Sequence, residues 1–131
     1  MKIQVGVKAL IKRDDKYLFL RRHSNFKNGD QDWDIPGGRI EPNESLYAAL
    51  EREINEETKL ELIKLDRLLA AQDIFVQVKS LHVVRLTYIA EAKGDKVEVS
   101  EEHDTFKWMT LGQILMEQNI DSYLKEVLEE I

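Results

Sequence analysis

The chain has 131 residues, of which 43% are hydrophobic and 34% charged, with a formal net charge of −6 and no cysteine. That length supports one globular domain with a real core but not two ordinary ones, and the composition excludes a disordered chain. The acidic balance argues against a nucleic-acid duplex partner, which clustered Lys and Arg would bind, and the lack of cysteine removes disulfides, thiolate catalysis and zinc–thiolate sites.

Near the N-terminus, Ile3, Val5, Val7, Ala9 and Ile11 alternate with Lys2, Gln4, Gly6, Lys8 and Lys12. Period two predicts a strand with one covered face, where a signal peptide would show an unbroken apolar run. No stretch of about 20 apolar residues follows, so no membrane partner and a cytoplasmic location are expected. Asp14, Asp15 and Lys16 break the pattern before Tyr17 to Leu20, which is apolar on both faces. A hairpin into a more buried strand, ended by Arg21 and Arg22, is expected.

Residues 23–32, HSNFKNGDQD, carry turn chemistry at Asn28-Gly29 without periodicity and read as a long loop of the kind that contacts substrates. Trp33 to Ile35 is a short extended piece halted by Pro36, and Gly37-Gly38 permits turns or close approaches. Pro42 and Asn43 mark a helix start, with Asn43 as the expected N-cap and Glu44 in the first turn.

In the helix that follows, Leu46, Ala49 and Leu50 share an angular sector with Glu53, Glu56 and Glu57 one or two turns later. An apolar stripe therefore becomes acidic partway along, although Ala48, Glu51, Asn55 and Thr58 left room elsewhere on the wheel. Clustered like charges repel, and partial burial makes ionisation costlier, so such a face needs raised pKa values or a cation. Oxygen ligands favour Mg²⁺ or Mn²⁺.

Leu60 to Gln72 and Leu81 to Ala92 read as two longer strands joined by Asp73 to Lys79. Lys93 to Lys96 is a turn, Val97 to Val99 a short edge strand, and Ser100 to Asp104 a polar loop before Phe106 to Met109. Thr110 with Gln113 forms a capping-box pattern ahead of one helix, and Asp121 caps another that would bury Tyr123, Leu124, Val127, Leu128 and Ile131. This order predicts an α/β (α+β) fold, a mixed sheet with helices on both faces.

The residues from Gly38 onward resemble the signature of the Nudix hydrolases, G-x5-E-x7-R-E-U-x-E-E-x-G-U with U a bulky aliphatic: Gly38, Glu44, Arg52, Glu53, Ile54, Glu56, Glu57 and Leu60 match. Lys59 stands where that family usually has glycine. The segments WDIPGGRIEP and HDTFKWMTLGQIL are also similar to the family's layout, and within it to small MutT-like members.

The resemblance implies an α/β/α sandwich and Mg²⁺- or Mn²⁺-dependent hydrolysis of a nucleoside diphosphate linked to another moiety. By it, Glu53, Glu56 and Glu57 would hold the metal with the Gly38 carbonyl as a further ligand, and Arg52 would orient a signature carboxylate, Glu44 or Glu56. Glu53 or Glu102 is the candidate general base, with Glu101 behind them. Arg21 and Arg22 are candidate phosphate clamps, and Trp33 and Phe75 candidate stacking partners for a base. His23, His82 and His103 show no ligand spacing.

The implied substrate is a (deoxy)nucleoside triphosphate or modified nucleotide, cut to a monophosphate and pyrophosphate. ADP-ribose and other nucleotide sugars come next, and a non-catalytic nucleotide-binding module is the competing reading. The chain is expected to act as a monomer or as a homodimer paired through the edge of its first strand. At Lys59 the helix should end left-handed, a conformation that strains a non-glycine residue by roughly 1 kcal/mol.

Overall fold

The computed structural model describes residues 1–23 and 32–131, so most of the 23–32 loop expected to contact substrate lies outside the described residues. Strand β1 (Lys2–Arg13) turns into β2 (Lys16–Arg22) with Lys12 opposite Tyr17. Asp14 makes that turn possible with a φ of 56°, the left-handed conformation that tight hairpin turns use.

Short strands β3 (Trp33–Asp34) and β4 (Gly37–Arg39) lead to helix α1 (Leu46–Thr58). Strands β5 (Glu61–Val76) and β6 (Leu81–Lys93) follow, joined by a 3-10 turn over Gln77–Lys79. Strand β7 (His103–Met109) and helices α2 (Leu111–Leu115) and α3 (Ser122–Glu129) complete the order. The strands are arranged β3-β2-β1-β6-β5, with β4 also on β1 and β7 also on β2. β1 and β6 pair in parallel from Lys2–Leu81 to Ile11–Ala90, while the other pairs are antiparallel, so the sheet is mixed as expected. β1 changes partner along its length, pairing with β4 from Gly6 to Lys8 and with β2 from Lys12 to Arg13.

Period-two alternation sorts the apolar side chains into two cores on opposite faces. Val7, Ala9, Ile11, Leu18 and Leu20 pack with Ala49, Leu50 and Ile54 of α1. Leu10, Tyr17 and Phe19 pack with Ile114 of α2 and Leu124 and Leu128 of α3. Val127 is buried as expected, but Ile131 is 44% exposed, because α3 ends at Glu129 and no longer holds it against the sheet.

Several boundaries differ from the sequence expectations. Ser45 caps α1, its hydroxyl accepting from Ala48 N at 3.0 Å. Asn43 cannot serve, since its φ is 66° whereas a capping residue is extended, as Ser45 is. Glu44 consequently precedes the helix instead of entering its first turn. β5 runs on to Val76, so the link to β6 is shorter than Asp73 to Lys79, and Val97 to Val99 forms no strand. Val97 and Val99 pack instead against the α1-side core while Glu98 N donates to Thr58 O at 2.9 Å.

The capping box at Thr110 and Gln113 and the Asp121 cap are present as expected. Lys59 ends α1 with a φ of 66°, its N–H donating to Asn55 O at 3.0 Å. Thr58 is fully buried beside it, and its hydroxyl donates to Ile54 O at 2.6 Å while accepting from Leu60 N at 3.1 Å. A packed, bonded neighbour on each side holds the lysine in a conformation it would not choose alone. Replacing it with glycine, Lys59→Gly, should therefore raise unfolding stability by about 1 kcal/mol, and Ser45→Ala should lower it by a similar amount. Denaturant melts of the two variants check both signs.

Candidate active site

A cleft of ≈ 450 Å³ lies where the C-terminal half of α1, strand β4, the Gln4–Gly6–Lys8 face of β1 and the 100–102 loop meet. Glu53, Glu56 and Glu57 all line it, so the acidic sector of α1 faces the cleft while Leu50 and Ile54 of the same helix are fully buried. The three carboxylates are not equivalent. Glu57 is buried at 9% exposure and hydrogen-bonded to Glu53, whereas the Glu56 side chain is 58% exposed. Among the described residues no three His, Asp or Glu side chains already stand together as a cage for an ion; Glu53 and Glu57 form a pair and Glu56 stands apart.

Arg52 sets this arrangement. Its Nε donates to Glu44 Oε2 at 2.8 Å and its Nη2 to Glu44 Oε1 at 3.0 Å, a two-pronged pair. Nη1 donates to Glu53 Oε1 at 2.8 Å and lies 3.7 Å from Glu56 Oε2, and Nη2 also reaches Arg39 O at 3.2 Å. The expected choice between Glu44 and Glu56 as its partner resolves in favour of Glu44 and Glu53. Hydrogen bonding from Arg52 holds the Glu44 carboxyl down to about 2. Glu57 moves the other way, pushed up to about 9 by burial and by Glu53, against the opposing pull of Lys8 and the Gly37 N–H.

Two glycines let β4 approach. Gly37 has a φ of 152°, and a Cβ there would collide with Val7 O and Lys8 Cα. A Cβ at Gly38 would fall 2.6 Å from Glu53 Oε1, so the backbone meets the carboxylate where a side chain would intrude. The Gly37 N–H points at Glu57 Oε1 across 3.4 Å.

The opposite wall is the 100–102 loop, whose Glu101 and Glu102 both line the cleft as the sequence suggested. His23 N anchors the loop by donating to Glu102 O at 2.7 Å. Three further cationic residues border the cleft without having stood out in the sequence: Lys8, Arg39 and Arg85. Lys8 Nζ donates to Asp34 Oδ2 at 3.1 Å and to Ile35 O at 3.2 Å. Burial pushes the Asp34 carboxyl up, but Lys8, Arg85 and the Ile35 N–H outweigh it and the net direction is down. His103 is buried next to this group, and burial together with Arg22 and Lys8 pushes its imidazole down to about 4. An acid between Trp33 and Ile35 was the signal that could have disclosed Asp34, since an isolated buried carboxylate demands a partner.

Four expected substrate contacts divide. Arg22 lines the cleft. Arg21, its neighbour on the other face of β2, donates to Asp104 Oδ1 at 2.9 Å away from the cleft. Trp33 is 8% exposed and packs with Ile35 and Ile120 in the α3-side core, so its ring offers no stacking face to the cleft. Phe75 stacks on His82 with ring centroids 4.5 Å apart. Because Val83 and Arg85 line the cleft, alternation places His82 and its cross-strand partner Phe75 on the other face. His82 is held by Asp73 at 2.7 Å, consistent with its lack of ligand spacing.

A model of the NUDIX domain matches residues 2–131. Among curated proteins the chain is 27% identical over 110 residues to an ADP-ribose pyrophosphatase of Methanocaldococcus jannaschii, covering 84% of this chain and 63% of that protein. It is 39% identical over 61 residues to a CTP pyrophosphohydrolase of Escherichia coli, covering 47% and 44%. The chain thus spans less than two thirds of the length of these two relatives. Among solved structures it resembles a MutT Nudix hydrolase from Burkholderia pseudomallei with a TM-score of 0.84 at 26% identity, covering 100% of this chain and 99% of that one. No helix among the described residues is long and apolar enough to cross a membrane. With the domain match running over nearly every residue that builds the two cores and the cleft between them, the chain belongs to the Nudix hydrolase family.

Proposed function

We propose that the chain hydrolyses a phosphoanhydride bond in a (deoxy)nucleoside triphosphate, releasing a nucleoside monophosphate and pyrophosphate, with Mg²⁺ or Mn²⁺ held by Glu53, Glu56, Glu57 and the Gly38 carbonyl. The observation that carries this reading is the buried Glu57 beside Glu53 in a cleft that also gathers Lys8, Arg22, Arg39 and Arg85. Two carboxylates in such a position are costly unless they share a proton or bind a cation, and an all-oxygen donor set suits a hard divalent ion. Bound there, the ion would neutralise polyphosphate charge and lower the pKa of an attacking water.

The protein's own groups supply the remainder. Arg52 fixes the Glu53 carboxylate in one orientation. Arg22 and Arg39 line the same cleft and supply positive charge for a triphosphate. Glu53 is committed to Arg52, whereas Glu102 stands on the opposing wall with its backbone anchored by His23 and with no hydrogen bond or ion pair to its carboxylate among the described residues. We assign the general base to Glu102, which is free to take a proton from water. The E. coli relative named for CTP supports a triphosphate; the M. jannaschii relative named for ADP-ribose supports a nucleotide sugar as the second reading.

Release of pyrophosphate, phosphate or monophosphate from a panel of nucleotides with Mg²⁺ tests the assignment, and no turnover on any of them would defeat it. Glu56→Gln and Glu57→Gln should each lower kcat by orders of magnitude in a protein that stays folded. Glu102→Gln should lower kcat by roughly 10²- to 10⁴-fold; a near-normal rate would return the base to Glu53.

Metal binding should also release protons. Glu57 titrates at about 9 in the metal-free protein, so at pH 7 a divalent ion displaces its proton, and the calorimetric enthalpy of Mn²⁺ binding should vary with the ionisation enthalpy of the buffer. The same raised value fixes a sign for stability. Metal-free stability is fully present below the ordinary carboxylate pKa of 4.5 and falls as pH rises toward about 9. Glu57→Gln should flatten that fall in thermal melts.

A further inference from the structure

The cleft has a floor that the carboxylates do not use. It is formed by the face of β1 and β6 that turns toward α3, where parallel pairing sets Gln4 beside Val83 and Gly6 beside Arg85. Arg85 is fixed there. Its Nη1 donates to Asp121 Oδ2 at 3.0 Å, and its guanidinium lies 5.7 Å from the centroid of the Tyr123 ring. Asp121 is in turn the cap of α3, the same Oδ2 accepting from Leu124 N at 3.0 Å. The start of the C-terminal helix therefore holds the guanidinium at the floor of the cleft, with one of its five N–H groups engaged by a bond to protein among the described residues.

The acceptor side chains nearest Arg85 on β1 and β3, Gln4 and Asp34, are already occupied, while Glu101 and Glu102 stand on the opposite wall. Asp34 takes Lys8 at 3.1 Å and Ile35 N at 2.8 Å. The Gln4 amide faces Arg39, and with its carbonyl turned to the guanidinium it accepts from Nε and Nη1, both at 3.0 Å. What the floor offers a ligand is consequently hydrogen-bond donors, with the planar fork of Arg85 as the directional one. Next to it the strand is bare at Gly6, where even an added Cβ would meet only Val83 Cγ1 at 3.7 Å and Gly38 O at 3.8 Å. A flat group can lie on that strip with its edge toward Arg85.

We propose that Arg85, anchored by the α3 cap Asp121, is a specificity-determining residue that reads a pair of adjacent acceptors on the substrate's base, so that the cleft takes guanine or cytosine nucleotides in preference to adenine ones. Guanine presents O6 with N7, and cytosine O2 with N3, to a guanidinium fork; adenine sets its amino donor next to its ring acceptor, and uracil separates its carbonyls with an N–H. The inference rests on the nucleotide reading above and narrows it, placing ADP-ribose below guanine and cytosine nucleotides.

Calorimetric titration of the full chain with GMP, CMP, AMP and UMP in Mg²⁺ requires no turnover and tests it directly. GMP or CMP should bind at least about ten-fold more tightly than AMP and UMP, the size expected of one bidentate contact. Arg85→Gln should bring the four within about three-fold of one another while leaving affinity for inorganic pyrophosphate in place. Arg85→Lys, which keeps the charge and loses the fork, should lose selectivity as well and serves if the glutamine variant melts early. Equal binding of AMP by the unaltered protein would overturn the proposal, as would an Arg85 variant that weakens all four nucleotides and pyrophosphate alike. Base-selective binding without turnover on any nucleotide would sink the hydrolase reading alone, and turnover without base preference would sink this inference alone.

Discussion

The fork between Arg52 and Glu44 is the interaction on which the site depends. A single guanidinium ties the segment before α1 to the helix body, reaches Arg39 O at the end of β4, and turns the Glu53 carboxylate toward the cleft. Three pieces of chain that could otherwise drift independently are thereby held in one frame. An exposed i, i+4 pair such as Arg52 with Glu56 contributes only tenths of a kcal/mol. The bidentate geometry to Glu44, with Glu41 N also donating to Glu44 at 2.9 Å, gives a directional network instead of a lone ion pair. Its consequence is orientation, since the helix would pack on the sheet through Ala49, Leu50 and Ile54 without it.

That packing explains how α1 can carry a feature that costs stability. The apolar first half and Ile54 anchor the helix in a filled core, and the buried Glu57 lies within a turn of this anchor. The helix end is likewise overdetermined: Thr58 is buried and bonded twice, which forces Lys59 into a left-handed conformation. Strain of this sort persists where surrounding structure leaves no alternative, and here it lies immediately beyond the acidic turn. Stability gained in the core is set against electrostatic strain at the cleft.

Elements with a strong local signal were legible in the sequence. Alternation from Ile3 to Ile11 marked β1, the change from apolar to acidic in one helical sector marked the part of α1 that leaves the core for the cleft, and Thr110 with Gln113 and Asp121 marked the later helix starts. The N-cap was misplaced by two residues because Asn43 and Ser45 both have capping chemistry and only backbone angles discriminate between them. Arg21 and Arg22 look alike in sequence, yet alternation sends one to Asp104 and the other to the cleft, a choice fixed by which face of β2 the sheet covers. Trp33 looked like a stacking residue because a large aromatic has the same composition whether it fills a core or lines a cleft. Lys8 and Arg85 carried no pattern at all, since what brings them together is the parallel pairing of β1 with β6, whose partners stand about eighty residues apart in the chain.

This difference separates the two tasks of the cleft. The groups assigned to the phosphoanhydride lie mostly within one helix and the strand before it, so a short run of sequence can specify them together and persist as a recognisable signature. Groups on the floor come from β1, β6 and the cap of α3, each of which can change without disturbing the helix. A fold built this way can keep one reaction while its floor is altered piece by piece to accept different leaving groups and bases. Relatives of one chain with names as different as ADP-ribose pyrophosphatase and CTP pyrophosphohydrolase are what such an arrangement would produce. Selectivity in this chain is accordingly to be sought where the sheet and the C-terminal helix meet, at the Arg85–Asp121 pair, and not in the helix that identifies the family.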